Sequence, residues 1–300
     1  MLGPTAVGKS SFATRLAGAV DGEIIGADAF QVYAGLDTLT AKPDAKSRAA
    51  VPHHLIGEIP LTDSFDVGKY AELARERIAE INSRRKCAIV VGGTGLYVRA
   101  LTRGLAQLPP ANPALRSDLE KAPLEELQQR LRTLDMEGVS RIDLKNRRRV
   151  VRALEVCLTT GRPFSSFRTQ WSGALHALTA GIILTRSRDD LYARIDRRTD
   201  EMFANGVVEE VKAAGEIGPT AKQAIGWTQI RKLLSGEISM EQCVTEIQRA
   251  TRNYARRQMT WLRAERSFET VNLTTEPNLD AVLDRASRVC RSIASASALQ

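Results

Sequence analysis

The chain has 300 residues, a length that suits one core or a core with one inserted subdomain. Hydrophobic residues make up 43% and charged residues 26%, a balance that excludes a chain disordered throughout. Lys and Arg number 43 against 35 Asp and Glu, and the formal net charge of +8 favours a polyanionic partner.

No apolar stretch approaches the roughly 20 residues that span a bilayer, so no membrane association is expected. The first residues lack the basic and apolar regions of a signal peptide, which predicts a cytoplasmic location. The cysteines are widely spaced without a C-x-x-C pair, so they are interpreted as packing residues rather than zinc ligands or disulfide partners.

Residues 3–10 match the phosphate-binding loop (P-loop) pattern G-x-x-x-x-G-K-[ST] in full. Its glycines let backbone N–H groups surround phosphate oxygens, Lys9 neutralises phosphate charge, and the Ser10 hydroxyl can ligate Mg²⁺. Apolar residues at helical spacing predict a helix over 10–20, directly behind the loop. The predicted phosphate-binding residues are Gly3, Pro4, Thr5, Ala6, Val7, Gly8, Lys9 and Ser10.

The rest of the chain alternates between strand and helix patterns. Residues 23–28 predict a strand that ends on Asp28, 71–81 a helix, and 87–91 a buried parallel strand. A breaker-rich segment at 108–113 precedes an almost wholly helical stretch, and strand patterns return at 180–184 and 268–273 beside helical patterns over 189–214 and 239–264. This predicts an α/β fold: a P-loop parallel sheet core with helices on both faces and an inserted all-helical subdomain.

The expected division is a catalytic core of residues 1–107 and 175–275, a helical subdomain of 108–174, and a C-terminal helix with a tail over 276–300 that frays from about 292. A P-loop normally follows a buried strand, yet only Met1 and Leu2 precede Gly3. The sequence therefore predicts a start at an internal methionine, with roughly 6 to 10 further residues in the native protein. As written, the chain is expected to expose the apolar residues of 24–25 and 87–91, to bind its ligand weakly and to aggregate.

Residues beside the phosphate loop limit its chemistry. Asp28, at the carboxyl end of a strand, is predicted to hold magnesium, to act as a base, or only to cap a turn. Gly92 and Gly93 end the next strand where a motor ATPase would carry a magnesium-binding Asp; they permit close approach of a substrate, or form a plain tight turn. Thr94 adds a hydroxyl, and segment 37–43 is a polar loop without an assigned role.

Arginines concentrate on two predicted helices. Arg148 and Arg152 stack at i,i+4 on one, while Val151, Leu154 and Leu158 form its apolar stripe. The second helix carries Arg249, Arg252, Arg256 and Arg263 along one face. Either face alone is consistent with a solvated surface, but the near absence of acids between the arginines favours contacts to a phosphate backbone.

Several motifs together resemble the bacterial tRNA dimethylallyltransferase family, from residue 3 to about 264. In this sequence they are the loop at 3–10, D-A-F-Q-V-Y at 28–33, T-A-K-P at 40–43, P-H-H-L-I at 52–56, V-G-G-T-G-L-Y at 91–97, R-A-L-E at 152–155, A-I-G-W at 224–227 and T-R-N-Y-A-R-R-Q-M-T-W-L-R at 251–263.

The resemblance implies transfer of a dimethylallyl group from its diphosphate to N6 of the adenosine 3′ of the anticodon, with release of diphosphate. The loop would hold the diphosphate with Mg²⁺, Arg194 would add a second cation, and Asp28 would be the base that assists the amine. The implied catalytic residues are Asp28, Thr94 and Lys9. The implied tRNA-binding residues are Asp28, Ala29, Phe30, Gln31, Thr94, Arg116, Arg148, Arg149, Val150, Val151, Arg152, Arg252 and Arg256.

The family's partners would then be the tRNA anticodon loop, clasped by the helical subdomain with the target base turned out of its stack, and dimethylallyl diphosphate. A monomer is expected. The chain departs from the family pattern at Ala29, Leu39, Gly57, Asn146, Arg148 and Arg256, none of which removes a proposed catalytic group. The residues also leave open a small-molecule or nucleoside kinase and a non-catalytic RNA-binding protein that uses the loop as a nucleotide switch.

Overall fold

A computed structural model describes residues 1–105, 108–167 and 179–297, which fall into two compact units. The first consists of Met1–Thr102 with His176–Gln300, and the second of Arg103–Leu175. Of the predicted boundary positions 107/108 and 174/175, only 108 is among the described residues. None of the described helices is both long and apolar enough to cross a bilayer.

Helices make up most of both units. In chain order they are α1 Lys9–Val20, α2 Ala45–Ala50, α3 Val67–Ser83, α4 Gly95–Thr102, α5 Pro113–Lys121, α6 Leu124–Leu134, α7 Met136–Val139, α8 Arg147–Thr160, α9 Arg188–Ala204, α10 Val207–Ala213, α11 Trp227–Leu234, α12 Met240–Leu262 and α13 Leu279–Ser297, with a 3₁₀ turn at Ala221–Gln223. Helices α5 to α8 belong to the second unit.

The first unit is built on parallel strands. These are β1 Glu23–Ala27, β2 His53–His54, β3 Ala88–Gly92, β4 Ile182–Thr185 and β5 Glu269–Asn272, in the orders β2-β1-β3 and β4-β5. Every residue of β1 is buried, so both faces of the sheet are covered at its centre. The predicted α/β fold with a parallel sheet is confirmed, and the predicted strands agree with the observed ones to within a few residues.

Leu2 joins the two groups of strands. It bridges Gly92 of β3 and Ile183 of β4, both in parallel. Its N–H donates to the Ile182 carbonyl and its carbonyl accepts from the Leu184 N–H, both at 2.8 Å. The sheet therefore runs β2-β1-β3, Leu2, β4-β5, with a very short segment in the place of the expected central strand.

The expected exposure of apolar residues around this place is largely wrong. Ile24, Ile25, Cys87 and Ile89 are buried, and Val91 is half-buried. The cause is coverage by helices, since α1 packs on this part of the sheet together with apolar residues of α13. Helix α13, which packs against α1, continues to Ser297, past the predicted start of fraying at 292; residues 298–300 lie outside the described part.

One predicted helical segment is divided. Over 189–214 the chain forms α9 and α10, separated at Gly206, whose φ of 78° belongs to the left-handed region that ends a helix. The other predicted helices of this unit appear as α1, α3 and α12.

The second unit has its own apolar core. Leu127 and Leu131 of α6 pack against Val150, Val151 and Leu154 of α8. The apolar stripe predicted for α8 is wrong at Leu158, which is 41% exposed, because the buried face turns toward Val150, Ala153 and Cys157 instead.

Candidate anion-binding site

The phosphate loop follows Leu2 and ends at the first turn of α1. Gly8 caps the helix with φ of 108°, and a Cβ on Gly3 would lie 2.7 Å from the Leu184 carbonyl oxygen. Both glycines are therefore required by the backbone path. The Lys9 ammonium donates to the Pro4 carbonyl at 2.8 Å, which holds the loop around the start of the helix. The helix N-terminus adds its partial positive charge to this site.

A cleft of about 300 Å³ opens beside the loop. The sequence-predicted residues that line it are Thr5, Ala6, Gly8, Lys9, Ser10, Asp28, Gln31 and Arg194. Residues that sequence reasoning missed also line it, among them Arg197, Arg198 and Gln258. The structure thus brings the loop, the carboxylate at the end of β1 and one face of α9 to a single opening.

Helix α9 supplies cations that lie against the loop itself. Arg194 Nε donates to the Ala6 carbonyl at 2.9 Å, and Arg198 Nη1 donates to Thr5 Oγ1 at 3.2 Å. Neither guanidinium has a carboxylate within ion-pair distance in residues 1–105, 108–167 and 179–297. Arg198 follows Arg194 by four residues and so shares its face of the helix, a spacing that could have identified it from sequence.

Cations outnumber carboxylates in the lining of this cleft, where Lys9 and three arginines of α9 face Asp28 and Glu201. Desolvation lowers the pKa of Lys9 to about 8; Asp28 opposes that shift and Arg198 adds to it. Desolvation also lowers the pKa of Arg198 and of Arg194. An excess of partly desolvated cations favours binding of an anion, because the anion replaces the lost hydration.

Asp28 and Thr94 lie together at the carboxyl ends of β1 and β3. Asp28 Oδ1 accepts from the N–H groups of Phe30 and Gln31 at 3.0 and 3.3 Å, so the turn-capping interpretation is correct for this oxygen. Within the described part of the chain, Oδ2 has no donor and remains open to a substrate. Thr94 Oγ1 accepts from the Ala29 N–H at 3.3 Å, which ties the two strand ends together.

Gly92 and Gly93 permit close approach, but of the protein to itself. A Cβ on Gly92 would lie 2.1 Å from the Ala27 carbonyl oxygen, and one on Gly93 would lie 2.2 Å from Gln258 Nε2. The space left by the missing side chains of Gly92 and Gly93 is therefore occupied by the Ala27 backbone and the Gln258 amide.

The loop at 37–43, left unassigned by the sequence, forms one wall of the cleft through Thr40, Ala41 and Pro43. The Gln31 amide donates to the carbonyls of Thr40 and Ala41 at 3.0 and 2.9 Å. The Lys42 side chain is 1% exposed and donates to the Tyr33 and Gly35 carbonyls and to Asp37. Lys42 and the Gln31 amide therefore shape this wall.

In the second unit, two of the predicted RNA-contacting arginines bind a buried carboxylate. Arg116 donates from Nε and Nη2 to Glu155 at 3.0 and 2.9 Å, and Arg152 Nη1 donates to the same group. Burial alone raises the pKa of the Glu155 carboxyl, but hydrogen bonds from Arg116, Arg152 and the Asn112 N–H hold it below its usual range. Arg116 and Arg152 thus have a structural role in this unit.

The remaining predicted tRNA-binding residues have different environments. Arg148 and Arg149 are exposed at the start of α8, whereas Val150 and Val151 are buried and cannot offer side chains to a ligand. On α12, Arg252 pairs with Asp196 of α9 at 2.6 Å, and the exposed Arg256 donates to Asn253. The arginine face of α12 carries no acid of its own, but Arg252 is paired with a carboxylate of another helix.

Protein ligands for a metal are sparse. No group of three or more His, Cys, Asp or Glu side chains that could hold an ion occurs in the part of the chain that the structure describes. Ser10 and Asp28 are oxygen donors that line the same cleft. Such a sparse set suits Mg²⁺, which takes one or two protein oxygens and completes its shell with substrate phosphates and water.

Comparison with known proteins identifies close relatives over most of the chain. A protein-family model described as IPP transferase matches residues 31–265. The tRNA dimethylallyltransferase 1 of Citrifermentans bemidjiense is 44% identical over 269 residues, which cover 88% of each protein. The tRNA dimethylallyltransferase of Akkermansia muciniphila is 40% identical over 285 residues, covering 95% of this chain and 96% of that protein.

Solved structures are similar as well. The full-length tRNA isopentenylpyrophosphate transferase of Bacillus halodurans superposes with a TM-score of 0.71 at 32% identity, covering 99% of this chain and 96% of the other. A eukaryotic dimethylallyltransferase acting on tRNA superposes with a TM-score of 0.78 at 25% identity, covering 91% of this chain and 73% of the other.

Proposed function

The chain belongs to the IPP transferase family, and on that premise we propose that it transfers the dimethylallyl group of dimethylallyl diphosphate to N6 of the adenosine 3′ of the anticodon in tRNA. The observation that carries the proposal is that a cluster of cations and a carboxylate line the same cleft. Enclosed cations of the loop and α9 suit a diphosphate, and Asp28 offers an open carboxylate oxygen at the same cleft. One binds a leaving group and the other accepts a proton.

The donor would bind with its diphosphate in the phosphate loop. Backbone N–H groups at the start of α1 and the side chains of Lys9, Arg194 and Arg198 would neutralise its charge. The same cations stabilise diphosphate further as it leaves, because its negative charge grows while the carbon–oxygen bond breaks. This gives the loop a catalytic as well as a binding role.

The acceptor amine needs a base, since the N6 lone pair is delocalised into the adenine ring. N6 attacks C1 of the dimethylallyl group, the C1–O bond breaks, and diphosphate departs with the bonding electrons. The proton released from N6 goes to Asp28 Oδ2, while Oδ1 stays bound to the backbone of Phe30 and Gln31. Thr94 holds the Ala29 end of this segment in place.

Mg²⁺ is the proposed metal. Ser10 would hold it together with donor phosphate oxygens, and Asp28 is a carboxylate in the lining of the same cleft. When bound, the ion would supply further neutralisation of diphosphate charge.

The tRNA would be bound through its phosphate charges and through the adenine that enters the cleft. The target base must leave the anticodon-loop stack, as base-modifying enzymes generally require. The exposed Arg148, Arg149 and Arg256 are proposed contacts to the phosphate backbone, with the helical unit clasping the loop. The proposal further places the protein in the cytoplasm as a monomer.

A donor-choice assay tests this function. The protein is incubated with unmodified tRNA and either dimethylallyl diphosphate or ATP, and digested nucleosides are analysed by mass spectrometry. We expect adenosine to gain one dimethylallyl group with the first donor and nothing with the second. Phosphoryl transfer from ATP to any acceptor, without prenyl transfer, would instead support a kinase.

A further inference from the structure

One buried amide on α12 links the two walls of the cleft. Gln258 is 2% exposed, and its Oε1 accepts from the Thr5 N–H of the phosphate loop at 2.8 Å. Its Nε2 donates to the Gly93 carbonyl, just after β3, at 2.9 Å. The loop and the end of β3 are therefore held at a fixed separation by a single planar group, which an amide can do because it carries a donor and an acceptor.

The surroundings of Gln258 are built to keep it in place. A Cβ on Gly93 would lie 2.2 Å from Nε2, so the amide occupies space that a side chain there would fill. The hydroxyl of Tyr254, one turn earlier on α12, lies close to the side chains of both Gln258 and Thr94. Thr94 in turn accepts from the Ala29 N–H beside Asp28. A continuous chain of contacts thus runs from the phosphate loop to the segment that carries the base.

The geometry points to Gln258 as a positioning residue for the transfer step: through Thr5 and Gly93 it sets the distance between the diphosphate site and the Asp28–Thr94 wall. This inference rests on the proposed function. The amine and C1 of the donor must meet at near-attack distance, and a displacement of about 1 Å costs roughly 10²-fold in rate. The Thr5 N–H is bound to Gln258, so its contribution is to loop position rather than to phosphate binding.

Gln258→Met tests the inference, because it keeps a similar volume without charge and removes both hydrogen bonds. We expect the single-turnover transfer rate to fall about 10- to 100-fold, with the dissociation constants of donor and tRNA changed less than about threefold. The matched control is Gln248→Met on the same helix, where the amide donates to Asp200 at 3.2 Å; it should transfer at the wild-type rate.

A double-mutant cycle separates positioning from general support. Gln258→Met should cost much less in an Asp28→Asn background, because the distance it sets no longer serves a working base. Equal costs in both backgrounds, or a wild-type rate in the single variant, would overturn the inference. Absence of transfer by the wild-type protein would instead count against the proposed function.

Tyr254→Phe is the second variant, for the case that Gln258→Met does not fold. It removes only the hydroxyl that contacts Thr94 and Gln258. We expect a fall of about 3- to 10-fold in the same rate with unchanged affinities, the size typical of losing one neutral polar contact. A wild-type rate in this variant would contradict the contact chain.

Discussion

The two carboxylate oxygens of Asp28 have different roles in this cleft. Asp28 binds two backbone N–H groups with Oδ1, while Oδ2 has no donor in the described residues. A turn cap and a catalytic base are therefore compatible assignments for one carboxylate. The cap also fixes the side chain, which lowers the entropy lost when a substrate proton is accepted.

At the residue scale, we predict that Asp28→Asn keeps the cap and loses the base. An amide oxygen can still accept from Phe30 and Gln31, but the side chain cannot take a proton. Single-turnover prenyl transfer should fall by roughly 10²- to 10⁴-fold, with tRNA affinity little changed. Asp44→Asn is the matched control, since Asp44 caps α2 by accepting from the Ser47 N–H on an exposed surface. Near-normal turnover in Asp28→Asn would refute the assignment.

Lys9 gives a prediction about pH. Desolvation lowers its pKa to about 8, so the free protein loses this cation as pH rises through that value. The kcat/KM for dimethylallyl diphosphate should fall above pH 8, whereas kcat at saturating donor should fall less, because a bound diphosphate raises the pKa of Lys9 again.

Lys9→Arg provides the control for that profile. Arginine stays charged over the whole range, so the variant should be less active but should lack the fall above pH 8. A flat wild-type profile from pH 7 to about 9.5, or the same fall in the variant, would show that another group titrates.

At the scale of elements, α8 has arginines with two different roles. Arg152, with Arg116 of α5, compensates the buried Glu155, whereas Arg148 and Arg149 are exposed on the first turn. Substituting Arg152 would confuse lost RNA contacts with a damaged core. The first turn is therefore the part of this helix in which phosphate binding can be tested.

We predict that Arg148→Gln with Arg149→Gln reduces the salt dependence of tRNA binding. Each lost phosphate contact should make the slope of log K against log salt concentration shallower by about 1, without a change in thermal stability. Arg130→Gln with Arg132→Gln on α6 removes the same charge from other exposed positions and serves as the control. Identical slopes for the two pairs would mean that the α8 turn is only a solvated surface.

At the scale of the whole molecule, each unit has its own core, and the donor cleft lies entirely in the first. Damage to the second unit should therefore leave donor binding intact. Substitution of Glu155 should damage the second unit most directly. Its side chain is fully buried and accepts hydrogen bonds from the Asn112 N–H, from Arg116 of α5 and from Arg152 of α8.

We predict that Glu155→Gln destabilises the second unit by about 2 kcal/mol or more, because the arginines lose their counter-ion. Hydrogen exchange should speed up in α5, α6 and α8, and tRNA affinity should fall, while calorimetry shows unchanged dimethylallyl diphosphate binding. Loss of donor binding in this variant would contradict the independence of the cleft.

The same carboxyl gives the unit an acid sensitivity. Its folded pKa lies below the usual range, so its contribution to stability is present above the ordinary Glu pKa and is lost as pH falls through the lowered value. The Glu155→Gln variant should lack this loss.

Sequence alone determined the features that depend on neighbouring residues. The phosphate loop is eight consecutive residues, and the strands and helices follow from periodicities that extend over a few turns. Asp28 and Thr94 could be placed together because the carboxyl ends of parallel strands share one edge of a sheet. Helical spacing could also have identified Arg198, which lies one turn beyond Arg194 on the same face.

Only the tertiary structure decided which polar groups meet across the fold. Gln258 lies 165 residues from Gly93 and 253 from Thr5, and Arg252 finds Asp196 on a different helix. Likewise, Arg116 and Arg152 meet at the buried Glu155, whereas Arg148 and Arg149 lie exposed one turn earlier on α8. The periodicity of residue types along a chain indicates which face of a helix or strand is buried. The hydrogen-bond partner of a buried polar group depends instead on how distant elements pack together, and residue periodicity within one element does not indicate that partner.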